Sequence, residues 1–197
     1  MPALEVSVDG VKIATVSTDG FDVMSVNVGG ALIDDDLASL SVSGGSYPEN
    51  GSPLSLWWVS ELSLHAGQRV GVSFLEHGIS SHPGQTVEEL FPNEPATTQT
   101  DFTPTSETFK ALRAKPKVRN SFSFRLASSS GASFAGTTTP EEHGFGFTVL
   151  WNWLNPERAR LSLHSYSLDS LEARGPMSNH VEEKIHFGDS VEFELVA

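Results

Sequence analysis

Cysteine is absent from the 197-residue chain, and tyrosine and methionine are scarce, at two and three residues. The missing cysteine excludes a disulfide framework, a thiolate metal site, an iron–sulfur cluster and a cysteine nucleophile. No apolar run approaches the roughly 20 residues of a membrane-spanning helix. The segment from Met1 to Glu5 has neither the basic start nor the apolar core of a signal peptide, so we expect a cytoplasmic protein.

Basic residues are few: 12 Lys and Arg stand against 25 Asp and Glu, which gives a formal net charge of −13. Residues 1–100 hold 13 of the acids and two bases, and six of the remaining bases lie between Lys110 and Arg125 with no acid among them. A negative field repels phosphate backbones and anionic lipids, so nucleic acid and membranes are poor partners, whereas basic partners are attracted. The acidity also serves solubility.

The dominant hydrophobic period is two, which is typical of β-strands with one buried face. Leu4, Val6 and Val8 alternate with polar residues before Asp9-Gly10, a dipeptide that favours a two-residue hairpin turn. The whole pattern predicts about eleven strands in an all-β fold, an antiparallel β-sandwich that forms a single domain over 1–197. Beyond the first hairpins, strands are predicted at 37–43, 54–63, 69–75, 119–127, 144–151, 159–167, 181–187 and 190–196.

Glycine pairs and two helical motifs interrupt this pattern. We interpret two glycine pairs as turns between strands, namely Gly29-Gly30 and Gly44-Gly45. A capping-box sequence at Thr86 predicts one short helix, and a second is expected from Pro104 or Ser106 to Ala114. The stretch 92–105, rich in Pro, Thr and Asn, is interpreted as a surface loop.

Two parts of the chain resemble each other at a shift of 121 positions. Residues 64–70 then align with 185–191, each with an apolar residue, a His, a Gly two positions later, and a Val that opens a strand. We interpret this as a duplicated β module covering about 4–76 and 120–196, with 77–119 as a helix-containing insertion. Short strands rich in Ser, Val and Gly also align by chance, which is the alternative explanation.

The repeat makes one prediction about particular residues. His65 and His186 should occupy equivalent places, each just before a Gly turn that leads into a core strand. Their expected role is to fix that turn by hydrogen bonding. Superposition of the two halves tests this.

No motif of a familiar catalytic centre is present. Gly131 to Gly136 lacks the spacing of a nucleophile elbow, and Gly144 to Val149 lacks the third glycine of a dinucleotide-binding loop. No Walker sequence occurs. We therefore predict no catalytic residue and no cofactor, and favour a non-enzymatic protein.

Metal-ligand residue types are densest around His180, Glu182 and His186. On a straight strand the two histidines stand about 20 Å apart, and Lys184 between them would repel a cation. The run 34–36, three aspartates, lacks the alternating carboxylates and the loop glycine of a calcium site. We therefore predict no metal site.

Tryptophan occurs in two clusters, Trp57 with Trp58 and Trp151 with Trp153. Adjacent strand residues point to opposite faces, so one of Trp57 and Trp58 is expected to point away from its sheet's core. Exposed Trp is typical of sugar-stacking platforms and of protein-interaction hot spots. The alternative is that all four indoles lie in the core.

Three functional hypotheses follow. The first is a non-enzymatic acidic protein that binds a basic partner protein, for example as an inhibitor or an immunity-type protein, by analogy with the class. Its candidate contacts are Asp34, Asp35, Asp36, Trp57 and Trp58. The second is a glycan-binding or glycan-processing β-sandwich, and the third is a structural component of a larger assembly.

Overall fold

The structure, a computed structural model, describes residues 1–93 and 104–196 and confirms an all-β sandwich. The described residues form twelve strands in two antiparallel sheets of six. In chain order the strands are β1 (Ala3–Val8), β2 (Val11–Ser17), β3 (Val23–Ala31), β4 (Ala38–Ser46), β5 (Leu54–Leu64), β6 (Arg69–Leu75), β7 (Ser123–Ser128), β8 (Ser133–Thr137), β9 (Gly144–Asn152), β10 (Arg158–Tyr166), β11 (Ser178–His186) and β12 (Ser190–Val196).

Three short helices lie in the connections of the described chain: α1 (Val87–Leu90), α2 (Ser106–Ala114) and α3 (Leu168–Glu172). The first two confirm the predicted helices, one from the capping box at Thr86 and the other with the predicted bounds Ser106 to Ala114; their N-caps are Thr86 and Thr105. Most of the loop predicted at 92–105 lies outside the described residues. None of the described helices is long and apolar enough to cross a bilayer.

The first sheet has the order β2-β1-β6-β12-β7-β8, and the second has the order β11-β10-β9-β3-β4-β5. The core between them is built from alternate residues of each strand, as the period of two requires. Leu4 and Val6 of β1 are fully buried, and Glu5 between them is half-buried on the outer face. Near the centre of the core, the Phe147 and Phe193 rings stack with their centroids 4.7 Å apart.

The two glycine pairs lie inside strands, so their interpretation as turns is wrong. Gly29-Gly30 belongs to β3 and Gly44-Gly45 to β4. The physical reason is close packing rather than a reversal of the chain: a Cβ on Gly44 would stand 3.3 Å from a ring carbon of Trp58.

The two halves of the chain share strand order and register. Strands β1 to β6 occupy one side of both sheets, and β7 to β12 occupy the other side in the mirrored order. Ala38 pairs with Leu64 between β4 and β5, and Ala159 pairs with Ile185 between β10 and β11. Both partners are shifted by 121 positions (159 − 38 and 185 − 64).

The halves meet through two antiparallel strand pairs, β3–β9 in the second sheet and β6–β12 in the first. Asn27 pairs with Thr148, and Gly71 pairs with Glu192. In both pairs the partners are 121 positions apart, so an approximate twofold axis passes through them. The symmetry is a property of strand order and register, whereas the duplicated module over 4–76 and 120–196 and a common origin of the halves stay predictions.

His65 and His186 stand at equivalent places before β6 and β12, with His65 directly after β5 and His186 as the last residue of β11. The backbone N–H of His65 donates to Oε1 of Gln68, and that of His186 donates to Oδ2 of Asp189, each at 2.8 Å. The glycine two residues after each histidine has a φ of +84° or +87°. The hydrogen bond that closes each turn therefore uses the histidine backbone.

Residues 78–85, here called the strap, run from the edge strand β2 of the first sheet to the edge strand β5 of the second. The backbone N–H of Ser81 donates to the carbonyl of Thr15 at 2.9 Å. Trp57 and Gln85 exchange two backbone hydrogen bonds of 2.9 Å. The strap thus covers the outer side of the first half of the sandwich.

Candidate functional site

Asp34, Asp35 and Asp36 lie on the exposed loop between β3 and β4. The Asp34 carboxylate accepts a hydrogen bond of 3.0 Å from the backbone N–H of Ala31. The Asp36 carboxylate accepts one of 2.7 Å from the hydroxyl of Ser63 at the end of β5. Two of the three carboxylates are therefore held in place by their own surroundings.

Arg119 anchors this loop from its inner side. Its guanidinium donates to the carbonyl of Ala31 at 2.8 Å and to the carbonyl of Asp35 at 3.0 Å. The same group stands 5.6 Å from the ring centroid of Phe122, within the range of a cation–π contact. Part of the basic stretch found in the sequence thus serves to fix the acidic loop.

Charged side chains of both signs surround a surface depression beside this loop, here called the acidic depression: Asp34, Asp35, Asp36, Glu61 and Lys115. Four carboxylates and one ammonium leave a formal charge of −3. Glu61 and Lys115 are far from the aspartates in sequence, so only the fold reveals that they belong here. Glu61 lies at the acidic depression because β5 pairs with β4.

The structure does not bring Trp57 and Trp58 to this depression. Trp57 pairs with Ser43, whereas the end of β4 next to the acidic loop pairs with Leu64, seven residues further along β5. At about 3.3 Å per residue, Trp57 lies about 13 Å along β5 from Glu61, the nearest residue of the depression, and about 23 Å from the strand end beside the acidic loop. Trp58 is only 7% exposed and Trp57 is half-buried on the outer face, so only Trp57 offers a surface.

A second group of polar side chains lies buried in the second half. The hydroxyl of Ser165, which has no exposed surface, donates to the carboxylate of Glu142 and contacts Nε2 of His180 at 2.7 Å. Because the hydroxyl hydrogen points at the carboxylate, the imidazole nitrogen is the donor to Ser165. The Glu142 carboxylate also accepts the backbone N–H of Thr139 at 2.6 Å, and the His180 ring stacks on Phe134.

Glu142 is ionised in this cluster. Burial raises the pKa of its carboxyl group, but hydrogen bonds from Ser165, Thr139 and Ser178 and the nearby His180 lower it, and the balance lies below the ordinary value of 4.5. None of the ion pairs in residues 1–93 and 104–196 involves Glu142. The protein therefore holds a buried negative charge without a Lys or Arg partner in the described chain.

This cluster is not the arrangement of a serine hydrolase. In a catalytic triad the imidazole lies between the serine and the acid, whereas Ser165 lies between Glu142 and His180. The hydroxyl of Ser165 is also inaccessible to a substrate.

His180 stands at the place that Trp58 occupies in the first half. In β5, Trp58 is the extra residue of a β-bulge, because residues 42 and 43 of β4 pair with residues 59 and 57 of β5. In β11, His180 is the extra residue of the equivalent bulge, because residues 163 and 164 of β10 pair with residues 181 and 179 of β11. Residues 163 and 164 lie 121 positions after residues 42 and 43.

Two apolar residues lie beside Trp58, whereas the residues at the equivalent places beside His180 are polar or charged. Glu142 and Ser165 lie 121 positions after Phe21 and Gly44. The Phe21 ring contacts Trp58 edge to face, with centroids 5.3 Å apart, and Gly44 leaves room for the indole. The first half thus has an apolar cluster at this place, whereas the second half has a buried, charged cluster at the equivalent place. Comparing the halves at the shift of 121 would have drawn attention to Glu142, because it aligns with Phe21, which is partly buried and packs against the core.

Metal binding finds no support in the part of the chain that the structure describes. There, no group of three or more His, Asp or Glu side chains is arranged so that it could hold a metal ion.

No protein-family model matches the chain, and neither a curated protein nor a solved structure shows significant similarity to it. A function therefore has to be inferred from the side chains themselves.

Proposed function

We propose that the protein is a non-enzymatic binding protein whose acidic depression takes up a basic surface of a partner protein. The supporting observation is that three of the four carboxylates of this depression stand on a loop fixed by Arg119, Ala31 and Ser63. A preorganised loop loses little conformational entropy on binding, which leaves more of the interaction energy for affinity. The net charge of −13 accelerates the encounter with a basic partner.

Asp35 and Glu61 are the natural contacts for an incoming Lys or Arg. The carboxylates of Asp34 and Asp36 already accept hydrogen bonds within the loop and act mainly through their charge. Lys115 on the rim repels a partner's cation at that point and thereby orients it. Trp58 is excluded by burial, and Trp57 would be reached only by a partner that extends about 13 Å along β5 beyond Glu61. An inhibitor or immunity-type role would require that the bound surface be the partner's working surface.

The test is a pull-down from a lysate of the source organism at low salt, followed by a salt gradient. A basic protein should be retained and should elute as the screening length falls from about 10 Å at 0.1 M to about 3 Å at 1 M salt. The triple variant Asp34→Asn, Asp35→Asn and Asp36→Asn should lose it.

The matched control is Glu107→Gln with Glu157→Gln and Glu192→Gln, which removes the same charge at exposed positions away from the acidic depression. Retention by both triple variants would show that the acidic depression is not the site.

A second candidate function is glycan binding. Trp57 lies in a shallow depression on the outer face of the second sheet together with Ser25, Ser43 and Tyr47. An indole face beside hydroxyl groups suits a sugar ring. Binding on a glycan array that persists in high salt and is lost in Trp57→Ala would favour this function over the first.

A further inference from the structure

We infer that the outer side of the second half, between the edge strands β8 and β11, binds an extended basic segment of a partner protein. The strap shows how such a segment lies, because it covers the equivalent side of the first half by pairing with β2 and β5. This side of the second half is here called the open side. The inference does not depend on the acidic depression, which lies elsewhere.

The edge of β8 is open where the edge of β2 is covered. Thr15 pairs with Glu5 in the first half, and Ala135 pairs with Arg125 in the second. Glu5 and Arg125 are counterparts because they also pair with Ser73 and Glu194, which are 121 positions apart. Thr15, whose backbone binds the strap, is 7% exposed, whereas Ala135 is exposed. Among the described residues, β8 pairs only with β7.

The edge of β11 shows the same contrast. Asn179 pairs with His164 as Trp57 pairs with Ser43, so Asn179 is the counterpart of the residue that pairs with the strap. Trp57 is half-buried and Asn179 is exposed. An edge strand with outward N–H and C=O groups is a template for adding another extended chain.

His180 supplies a hydrogen-bonding group at the centre of the open side. In the first half, the indole N–H of Trp58 donates to the carbonyl of His82 in the strap at 3.1 Å. His180 stands in that place, and its Nε2 is bonded to Ser165. Its other nitrogen, Nδ1, accepts a hydrogen bond in the neutral ring, which matches the backbone N–H of an incoming segment.

The charge of the open side indicates what the segment carries. In the first half Phe21 lies beneath the strap, which contains neither Lys nor Arg. At the equivalent place in the second half, Glu142 carries an ionised carboxylate. Residues 123–196 hold ten acids and five bases, so the surrounding field is also negative. A segment with Lys or Arg and otherwise small residues is therefore the complementary occupant.

Two fluorescein-labelled octapeptides test this inference by fluorescence anisotropy with the full-length protein. One has the strap sequence, Gly-Ile-Ser-Ser-His-Pro-Gly-Gln, and the other replaces its Ile and Gln by Lys. The basic peptide should bind at least tenfold more tightly than the strap peptide at low salt. Absence of binding by the basic peptide, or equal affinity of the two, would overturn the inference.

Two variants and a spectrum locate the site. Ala135→Pro removes the outward N–H of β8 and should weaken binding at least tenfold, whereas Ala135→Ser keeps it and should bind as the unchanged protein does. In the unchanged protein, amide NMR signals of Ala135 and Asn179 should shift on binding. Shifts confined to the acidic loop, with loss of binding in the triple Asn variant at 34–36, would overturn the open side and support the acidic depression instead.

Discussion

The hydroxyl of Thr148 in β9 donates a hydrogen bond of 2.9 Å to Oδ1 of Asn27 in β3, and these two residues are 121 positions apart. Each is the counterpart of the other, so the bond lies on the approximate twofold axis. It joins the halves at the one place in the second sheet where a residue faces its own equivalent. Closing two modules side by side in this way gives each sheet six continuous strands.

Replacement of Trp58 by Ala is expected to lower the free energy of unfolding by about 3–5 kcal/mol. The indole is buried, contacts Phe21 and donates to the carbonyl of His82, all of which the variant loses. Urea unfolding followed by circular dichroism measures the change. Trp153→Ala is the control, because that side chain is 58% exposed and its loss should cost less than about 0.5 kcal/mol. Similar losses of stability in both variants would contradict the stabilising role of Trp58 in the apolar cluster.

Replacement of Gly67 or Gly188 by Ala is expected to destabilise the protein by similar amounts, about 1–2 kcal/mol each. Both glycines have a φ near +85°, and no atom lies within 4 Å of the point where an alanine methyl group would stand, so the cost is backbone strain and not a clash. Thermal unfolding measures it. Gly175→Ala, which lies outside the left-handed region, should change stability little. A large difference between the two turn variants would argue against their equivalence.

Glu142 should make stability depend on acid pH. Its pKa is lower in the folded protein than the ordinary 4.5, so its contribution is present above that value and is lost as pH falls through the folded pKa. Glu142→Gln should be less stable at pH 7 and should lose less of its remaining stability between about pH 5 and pH 3. Melting temperatures across this range measure the slope. Glu141→Gln, at the exposed neighbouring position, should keep the slope of the unchanged protein.

Arg119→Lys should loosen the acidic loop. A single ammonium group cannot reproduce the fork that binds the carbonyls of Ala31 and Asp35, and each charged hydrogen bond contributes about 1.5–3 kcal/mol. Amide hydrogen exchange measured by mass spectrometry should become faster over residues 31–38. Arg174→Lys, at an exposed position, should leave that exchange unchanged. If both variants behave alike, Arg119 does not anchor the loop.

Much of the fold follows from local sequence. Asp9-Gly10 forms the predicted hairpin turn, with φ above +50° at both residues, because a type I′ turn requires this of both. The strand β8 is not predictable from local sequence, because Ser133–Thr137 is short, contains a Gly and exposes alternate residues. The helix α3 was missed for a similar reason, because its five residues carry almost no periodic signal.

The candidate sites depend on contacts that local sequence does not contain. Asp34, Asp35 and Asp36 are recognisable as an acidic run, but Glu61 joins them only through strand pairing. Trp58 and Trp57 alternate as a strand requires, whereas which of them is covered depends on the strap. Arrangement of the buried cluster likewise depends on which strands become neighbours, and strand order is a property of the whole chain.

Residues 1–93 contain all six strands of the first half, and removal of the second half would leave β3 and β6 as uncovered edges. We expect this fragment to form a homodimer. Asn27 and Gly71 stand at the centres of the contacts with the second half, so a second copy of the first half can meet the same edges in the same register about a true twofold axis. Sedimentation velocity at micromolar concentration measures the assembly.

Asn27→Lys separates this dimer from unspecific association. In the fragment dimer the two lysines would face each other across the β3 pair, and like charges directly opposite on a sheet are destabilising. In the full-length protein the same lysine would face Thr148, so the full-length variant should stay folded with nearly unchanged melting temperature. A monomeric fragment, or a fragment dimer that Asn27→Lys leaves intact, would show that the symmetry of strand order does not reflect interchangeable edges.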